Sequence, residues 1–322
     1  MTKIAFTTEL PQEGFQRLAE RDLLDSGERL WVICHCPEEA WKEAEVLVST
    51  FDYPVTREMI EEMPRLRLIA NFGAGYNNID LDACHERGIR VTNTPQPVVE
   101  PTAELAFALM IDVARRVSEF DRAMRGEGAR FGVMQNLSHS LYGKTLGILG
   151  MGRIGQALAR RAAASGMRII YHNRHELTNE RLKELGSEGV QAEYVNFQTL
   201  LQDSDFLSLN LPYTPEVHHI IGKPELGMMK RTAYLINTAR GAHVHEEALI
   251  EALRNGIIAG AALDVYEHEP AVSPELMTLP NVVLSPHTGT GTWEGRIAMC
   301  ENVSDNIIAF IQNDFQKMDI VL

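Results

Sequence analysis

Residues 144–174 read KTLGILGMGRIGQALARRAAASGMRIIYHNR, and the fold turns on how this stretch is parsed. An apolar run meets the cluster Gly150-x-Gly152-x-x-Gly155. An alanine-rich helical stretch follows, then a second apolar run that ends in His172-Asn173-Arg174. Strand, glycine turn, helix and strand in that order make the dinucleotide-binding fingerprint. Gly150 allows the tight turn, Gly152 lets a pyrophosphate approach the backbone, and Gly155 lets helix pack on strand. The N-terminus of that helix offers the phosphates unpaired N–H groups and the positive end of its dipole.

About 20 residues beyond such glycines, an Asp or Glu commonly accepts hydrogen bonds from the adenosine ribose. By register that place falls at His172. With no carboxylate there, a 2′-phosphate meets no repelling charge. Asn173 can donate, and Arg174 brings a planar donor fork suited to phosphate. The expected cofactor is NADP(H), with NAD(H) possible.

The chain has 322 residues, room for one large domain or two ordinary ones. Its 45% hydrophobic and 23% charged content is that of a soluble globular protein. A formal net charge of −14 argues against nucleic acid or an anionic membrane as a partner, since phosphate binders need a basic face. The opening MTKIAFTTELPQEGF lacks the apolar core of a signal peptide, and no apolar run approaches the roughly 18 residues of a membrane span. Four cysteines in a chain of this length make no disulfide framework. Cys34 and Cys36 form a CHC triplet, but no second pair of ligands lies nearby, so no metal is expected. The expected location is the cytoplasm.

Two strand–helix alternations run along the chain. KIAFTT, LWVICH, EVLVST, LRLIANF and IRVTNT are short apolar runs with helical spacers between some of them. KTLGILG, RIIYHN, AEYV, DFLSLNL, AYLINTA, GAALDVY and VVLSPHT form the second series. Continuous apolar strands with helical spacers indicate parallel sheets covered on both faces. The fold class expected is α/β, with two doubly wound parallel-sheet, Rossmann-like domains and a cleft between them. The linker carries Pro95, Pro97 and Pro101, and the pattern over 103–120 predicts one long helix. Arg115, Arg116, Arg122, Arg125 and Arg130 make a locally basic helix and loop, read as a solvated face or subunit contact rather than an anion site.

Three stretches place chemistry at strand ends, which line the ligand crevice in open α/β sheets. LINTARG sets Arg240 just past an apolar strand. ALDVYEHEP sets Asp264 at a strand end and Glu269 before Pro270. VVLSPHTGTG sets His287 before a glycine-rich loop. Reducing a 2-oxo acid takes a cation for the carboxylate, an acid for the alkoxide oxygen and a hydride from the cofactor. Arg240 suits the first task, because its fork binds a carboxylate bidentately. His287 suits the second, because imidazole exchanges protons near neutrality. Glu269 would orient that imidazole and favour its protonated form. Singly, each residue reads as a surface or packing residue; together, beside a bound cofactor, they read as catalytic. In NFGAGYNNID, Gly73 and Gly75 bracket Ala74 after an apolar strand, where successive N–H groups form a nest for a substrate carboxylate.

GKTLGILGMGRIG, LPYTPEVHHIIG, LINTARGAHVHEEALIEAL, AALDVYEHEP and NVVLSPHTGTGT, in this order and spacing, resemble the D-isomer-specific 2-hydroxyacid dehydrogenases. The similarity runs essentially end to end and is greatest to the NADP-dependent glyoxylate/hydroxypyruvate reductase branch, where YHNR-like endings go with NADP(H). It implies a flavodoxin-like substrate-binding domain from residues 1–99 and 289–322, and a Rossmann cofactor domain from 100–288. It also implies a homodimer built through the cofactor domains. On matching positions it makes Arg240, Glu269 and His287 catalytic, and Ala74 and Gly75 the carboxylate-binding amides. Arg153 and Ile154 become pyrophosphate contacts, Asp264 the partner of the nicotinamide amide, and Thr102, Thr238 and Ala239 further cofactor contacts. Asn210 stands where histidine is commoner. RFGVMQNLSHSLYG lacks the tryptophans that help shape the substrate pocket in many relatives.

The activity expected is reduction of a small 2-oxo acid, such as glyoxylate or hydroxypyruvate, to its D-2-hydroxy acid. Two alternatives use the same fold. Formate oxidation goes with glutamine where Glu269 stands, and a cofactor-sensing, corepressor-like binding protein would bind the dinucleotide without turnover.

Overall fold

The structure is a computed structural model, and it describes residues 4–19, 31, 32, 41–126, 128, 131–184 and 190–322. Cys34, Cys36 and Arg130 lie outside the described residues. The chain divides into two compact units, Met1–Val98 with Thr290–Leu322, and Val99–Gly289.

In the first unit, β1 (Ile4–Phe6), β2 (Trp31–Val32), β3 (Val46–Thr50), β4 (Leu68–Phe72) and β5 (Arg90–Thr92) form one parallel sheet. The order is β2-β1-β3-β4-β5, that of a flavodoxin-like doubly wound sheet. Every residue of β3 and β4 is buried, the pattern of strands covered on both faces. The late segment of the chain completes this unit. Ser304, on the helix Trp293–Ile311, donates to the Gly14 carbonyl at 2.9 Å. Val91, on β5, donates to the Leu322 carbonyl at 3.0 Å and accepts from Val321 at 2.8 Å.

Among the described residues the second unit holds seven parallel strands. They are β6 (Thr145–Leu149), β7 (Arg168–His172), β8 (Ala192–Tyr194), β9 (Phe206–Leu209), β10 (Tyr234–Asn237), β11 (Gly260–Leu263) and β12 (Val282–Leu284). The order β12-β11-β10-β9-β6-β7-β8 turns back between β6 and β9. That reversal is the switch point at which doubly wound sheets bind ligands, outside the carboxyl ends of the strands. Leu146, Ile148, Leu207, Leu235 and Ala261 are fully buried in the middle of the sheet.

One expectation is corrected here. Residues 103–120 are not a single helix: Val99–Arg115 ends, Arg116 takes φ 58, and a second helix runs Val117–Arg125. The break is held by side chains. Asp112 accepts from the Ser118 amide at 2.7 Å and also from the Ser118 hydroxyl, which satisfies donors at the new helix start. Arg116 donates to Glu119 and to the Leu137 carbonyl. Helical spacing alone carries no sign of this, because the apolar period continues across the break.

The arginines of this region are locally engaged. Arg115 reaches Ser138 at 3.1 Å and Arg125 pairs with Asp121 at 2.9 Å. No helix among the described residues is long and apolar enough to cross a membrane.

Candidate active site

Parallel strands deliver the candidate residues to one edge of the seven-stranded sheet: Gly150 after β6, Arg240 after β10, Asp264 after β11 and His287 after β12. Tertiary contacts then aim them.

After β10 the chain turns sharply. The buried Asn237 accepts from the Ala239 amide at 3.0 Å and donates to the Arg240 carbonyl at 2.9 Å, which clamps residues 238–240. Gly241 then passes against the chain that follows β11. A Cβ at Gly241 would lie 1.9 Å from the Tyr266 carbonyl carbon, so only glycine permits this approach. Arg240 is thereby held within electrostatic range of Glu269. Burial lowers its guanidinium from the ordinary value, and the Glu269 charge opposes that shift. Fully buried His243 is held neutral beside it: burial lowers its imidazole to about 4, and the Arg240 charge adds to the effect.

Glu269 has both oxygens engaged. Oε1 accepts from the Tyr266 amide at 2.9 Å, and Oε2 lies 2.7 Å from His287 Nδ1. Burial works to raise the carboxyl. The hydrogen bond and charge of His287, the Tyr266 amide and the Arg240 charge outweigh it and hold Glu269 below the ordinary value. His287 adopts φ 52, and its amide donates to the Asp264 carbonyl at 2.8 Å. The Asp264 side chain accepts from the Thr288 and Gly289 amides, both at 2.8 Å. Asp264 thus clamps the segment carrying His287. A second imidazole–carboxylate pair, His219 Nε2 to Glu267 Oε1 at 2.5 Å, lies just upstream.

The loop after β6 fits a dinucleotide. Gly150 takes φ +97, and a Cβ there would come within 2.8 Å of the Asn210 carbonyl carbon and the Leu211 nitrogen. The helix Arg153–Ala164 begins at Gly152 with no side-chain cap, leaving its first N–H groups for a ligand. Arg153 and Ile154 are its first two residues. Gly155 is buried in its first turn. The Thr238 hydroxyl and Asn210 Oδ1 are buried without a hydrogen-bond partner among the described residues, as expected of groups that await a polar ligand. Buried Thr102 lies against Gly289, beside Asp264.

Beyond β7 the three residues behave differently. His172 Nδ1 lies 2.9 Å from the Val195 carbonyl, and its ring stacks on Tyr194. Asn173 Oδ1 accepts from the Met151 amide at 2.7 Å, so it braces the glycine loop from below. Arg174 is exposed.

In the first unit, Gly73–Ala74–Gly75 follows β4. Asn71 Nδ2 donates to the Gly73 and Gly75 carbonyls at 3.1 and 2.8 Å, and Asn93 Nδ2 donates to the Ala74 carbonyl at 2.8 Å. With its carbonyls pinned, the loop has its Ala74 and Gly75 amides bonded to nothing among the described residues. Both amides are thus donors available to an anion. Asn71, Asn93 and Asn237 are functional supports that the sequence reading missed. Their signal, an amide side chain at the end of an apolar strand, is visible only in hindsight.

The chain is similar to known proteins in sequence and in fold. Residues 107–289 match the family model of the D-isomer specific 2-hydroxyacid dehydrogenase NAD binding domain. The chain is 44% identical over 322 residues to the glyoxylate reductase of Thermococcus litoralis, covering 97% of this chain and 94% of that protein. A solved NADPH-dependent glyoxylate/hydroxypyruvate reductase of Sinorhizobium meliloti, in complex with NADP and malonate, superposes with a TM-score of 0.80 at 29% identity, covering 96% of this chain and 93% of that one. D-lactate dehydrogenase of Aquifex aeolicus, complexed with NAD and lactic acid, gives 0.83 at 29% identity, covering 99% and 98%.

Proposed function

This chain belongs to the D-isomer-specific 2-hydroxyacid dehydrogenase family, and from that premise we propose how its residues carry out the reaction. The protein is an oxidoreductase that reduces a small 2-oxo acid to the 2-hydroxy acid with a nicotinamide cofactor. The observation that carries the residue assignments is the 2.7 Å contact between Glu269 and His287, with half-buried Arg240 in electrostatic range of the same carboxylate.

When bound, the reduced nicotinamide supplies a hydride to the substrate carbonyl carbon. Arg240 holds the substrate carboxylate through its donor fork and polarises the carbonyl. His287 gives the new alkoxide oxygen its proton; Nδ1 is engaged by Glu269, so transfer falls to Nε2. Glu269 is a positioning residue that orients the ring through the contact at Nδ1. The Ala74 and Gly75 amides take the carboxylate on the substrate-binding domain, residues 1–98 and 290–322. Gly150, Gly152, Arg153, Ile154 and Gly155 receive the pyrophosphate. Thr102, Thr238, Ala239 and Asp264 line the remainder of the cofactor site.

NADP(H) is the preferred cofactor in this reading. His172 carries no carboxylate to repel a 2′-phosphate, and exposed Arg174 has the fork to bind one, with Asn173 beside it. Hydroxypyruvate is a substrate alongside glyoxylate. The enzyme works in the cytoplasm as a homodimer joined through its cofactor domains. That assembly is supported by exposed apolar residues on and after the helix Val117–Arg125: Val117, Met124, Phe131, Val133 and Met134. Light scattering of the purified chain tests the dimer.

The function is tested by following NADPH consumption with a panel of 2-oxo acids. Turnover of glyoxylate or hydroxypyruvate supports it. Binding of NADPH without turnover of any of them would replace it with the cofactor sensor.

A further inference from the structure

Glu267 takes no part in the chemistry described above, yet both its oxygens are engaged. Oε1 lies 2.5 Å from His219 Nε2, and Oε2 accepts from the Glu246 amide at 2.9 Å. Its own amide donates to the Glu246 carboxylate at 3.2 Å, so the two residues grip each other. Burial works to raise the Glu267 carboxyl. The Glu246 amide, with the hydrogen bond and charge of His219, outweighs burial and holds the group below its ordinary value. Glu267 is therefore ionised, and the imidazole nitrogen is the donor in that contact.

His219 is anchored as well. At φ 52 it gives its amide to the Ala242 carbonyl at 2.8 Å. The Ile221 amide donates to the His243 carbonyl, and the Ile221 carbonyl accepts from the His245 amide, each at 3.0 Å. The chain after β9 is thus tied to the turn that carries Arg240, and Glu267 ties both to the chain after β11. The closest backbone approach lies between them: a Cβ on Gly241 would be 1.9 Å from the Tyr266 carbonyl carbon and 2.4 Å from the Glu267 nitrogen. Arg240 immediately precedes Gly241, and the Tyr266 amide is the donor to Glu269 Oε1 at 2.9 Å. Arg240 and Glu269 both take their places from the backbone at residues 266 and 267.

A part-buried ion pair gives little net stability, because desolvation offsets its attraction. What two anchored partners add is position. A misplacement of about 1 Å at the reacting groups can cost on the order of 10²-fold in rate. We propose that Glu267, gripped by His219, is a positioning residue that sets the spacing of Arg240 from Glu269 through the backbone at 266–267. That role rests on 2-oxo acid reduction being the activity of the chain.

The test measures kcat and KM for glyoxylate and hydroxypyruvate at saturating NADPH in the full chain, for the wild type, Glu267→Leu, His219→Leu and His219→Gln. Glu267→Leu should raise KM by about ten-fold, as Arg240 loses its alignment, and lower kcat by about ten-fold, as Glu269 no longer orients His287. A residue that served only the fold would reduce the folded fraction, and with it the apparent kcat, at unchanged KM; that result overturns the assignment. His219→Leu should repeat the pattern, and it decides the matter if Glu267→Leu does not fold, since His219 lies partly exposed. His219→Gln keeps an amide donor for Glu267 and should recover part of both losses; no recovery over His219→Leu overturns the assignment. Wild-type protein that turns over neither substrate overturns the proposed function and this inference with it. Wild-type turnover with a KM insensitive to both positions overturns this inference alone.

Discussion

Asp264 holds His287 without touching its imidazole: the Asp264 carbonyl accepts the His287 amide at 2.8 Å, and its carboxylate takes the next two amides. The carboxylate is almost wholly buried, at 1% exposure for the residue. Asp264→Asn turns an amide donor toward one of two buried N–H groups. It should cost about 1–3 kcal/mol in denaturant unfolding and lower kcat, since His287 loses its fixed place. A variant with wild-type stability and turnover would remove the clamp from the account.

His287→Ala should lower kcat by roughly 10²–10⁴, the usual size of a general acid's contribution. NADPH affinity, followed by fluorescence titration, should stay within about two-fold, because cofactor contacts and proton transfer use different residues. Near-normal turnover would remove His287 from the mechanism.

Glu269 provides a pH test of the folded state. Its carboxyl is held below its ordinary value of 4.5, so folding favours the ionised form. Stability from this group is complete above the unfolded value and is lost as pH falls through the lower, folded one. The melting-temperature gap between wild type and Glu269→Gln should be widest near about pH 6–8 and close below about pH 4. A gap that widens on acidification contradicts the direction of the shift.

Gly241→Ala forces a methyl into the Tyr266 backbone, 1.9 Å from its carbonyl carbon. The ends of β10 and β11 must part, which should cost about 1–3 kcal/mol. The same movement draws Arg240 away from Glu269, so kcat/KM should fall by more than the loss of folded protein explains. Comparing activity per folded molecule checks this.

Arg174→Ala should reduce kcat/KM with NADPH by about ten-fold or more, the value of a charged hydrogen bond. NADH should be affected far less, since it has no 2′-phosphate. Steady-state kinetics with both cofactors decides; equal losses would show that Arg174 does not read the phosphate.

The strands of the described residues are legible because parallel strands buried on both faces must be continuously apolar and short. Adjacency of Glu269 and His287 is nearly legible too, since they follow β11 and β12, neighbours in a sheet whose order the glycine motif suggests. The break at Arg116 is not, because it depends on Asp112 reaching Ser118 across a turn that periodicity cannot see. The same holds for Asn71, Asn93 and Asn237: each grips backbone that lies nearby only after folding. Asn173 Oδ1 accepts from the Met151 amide, a brace on the glycine loop that composition does not reveal and that leaves its amide nitrogen able to donate.

The discontinuous first unit has a consequence for biogenesis. Strands β1 to β5 leave the ribosome early, but the helix that covers β4 and the residues that pair with Val91 come from 290–322. The contiguous second unit can mature while the first still waits with apolar strands uncovered, and that interval is when a nascent chain is most in need of a chaperone. Synthesis of residues 290–322, not the emergence of any early strand, sets the moment at which the first unit can complete its core.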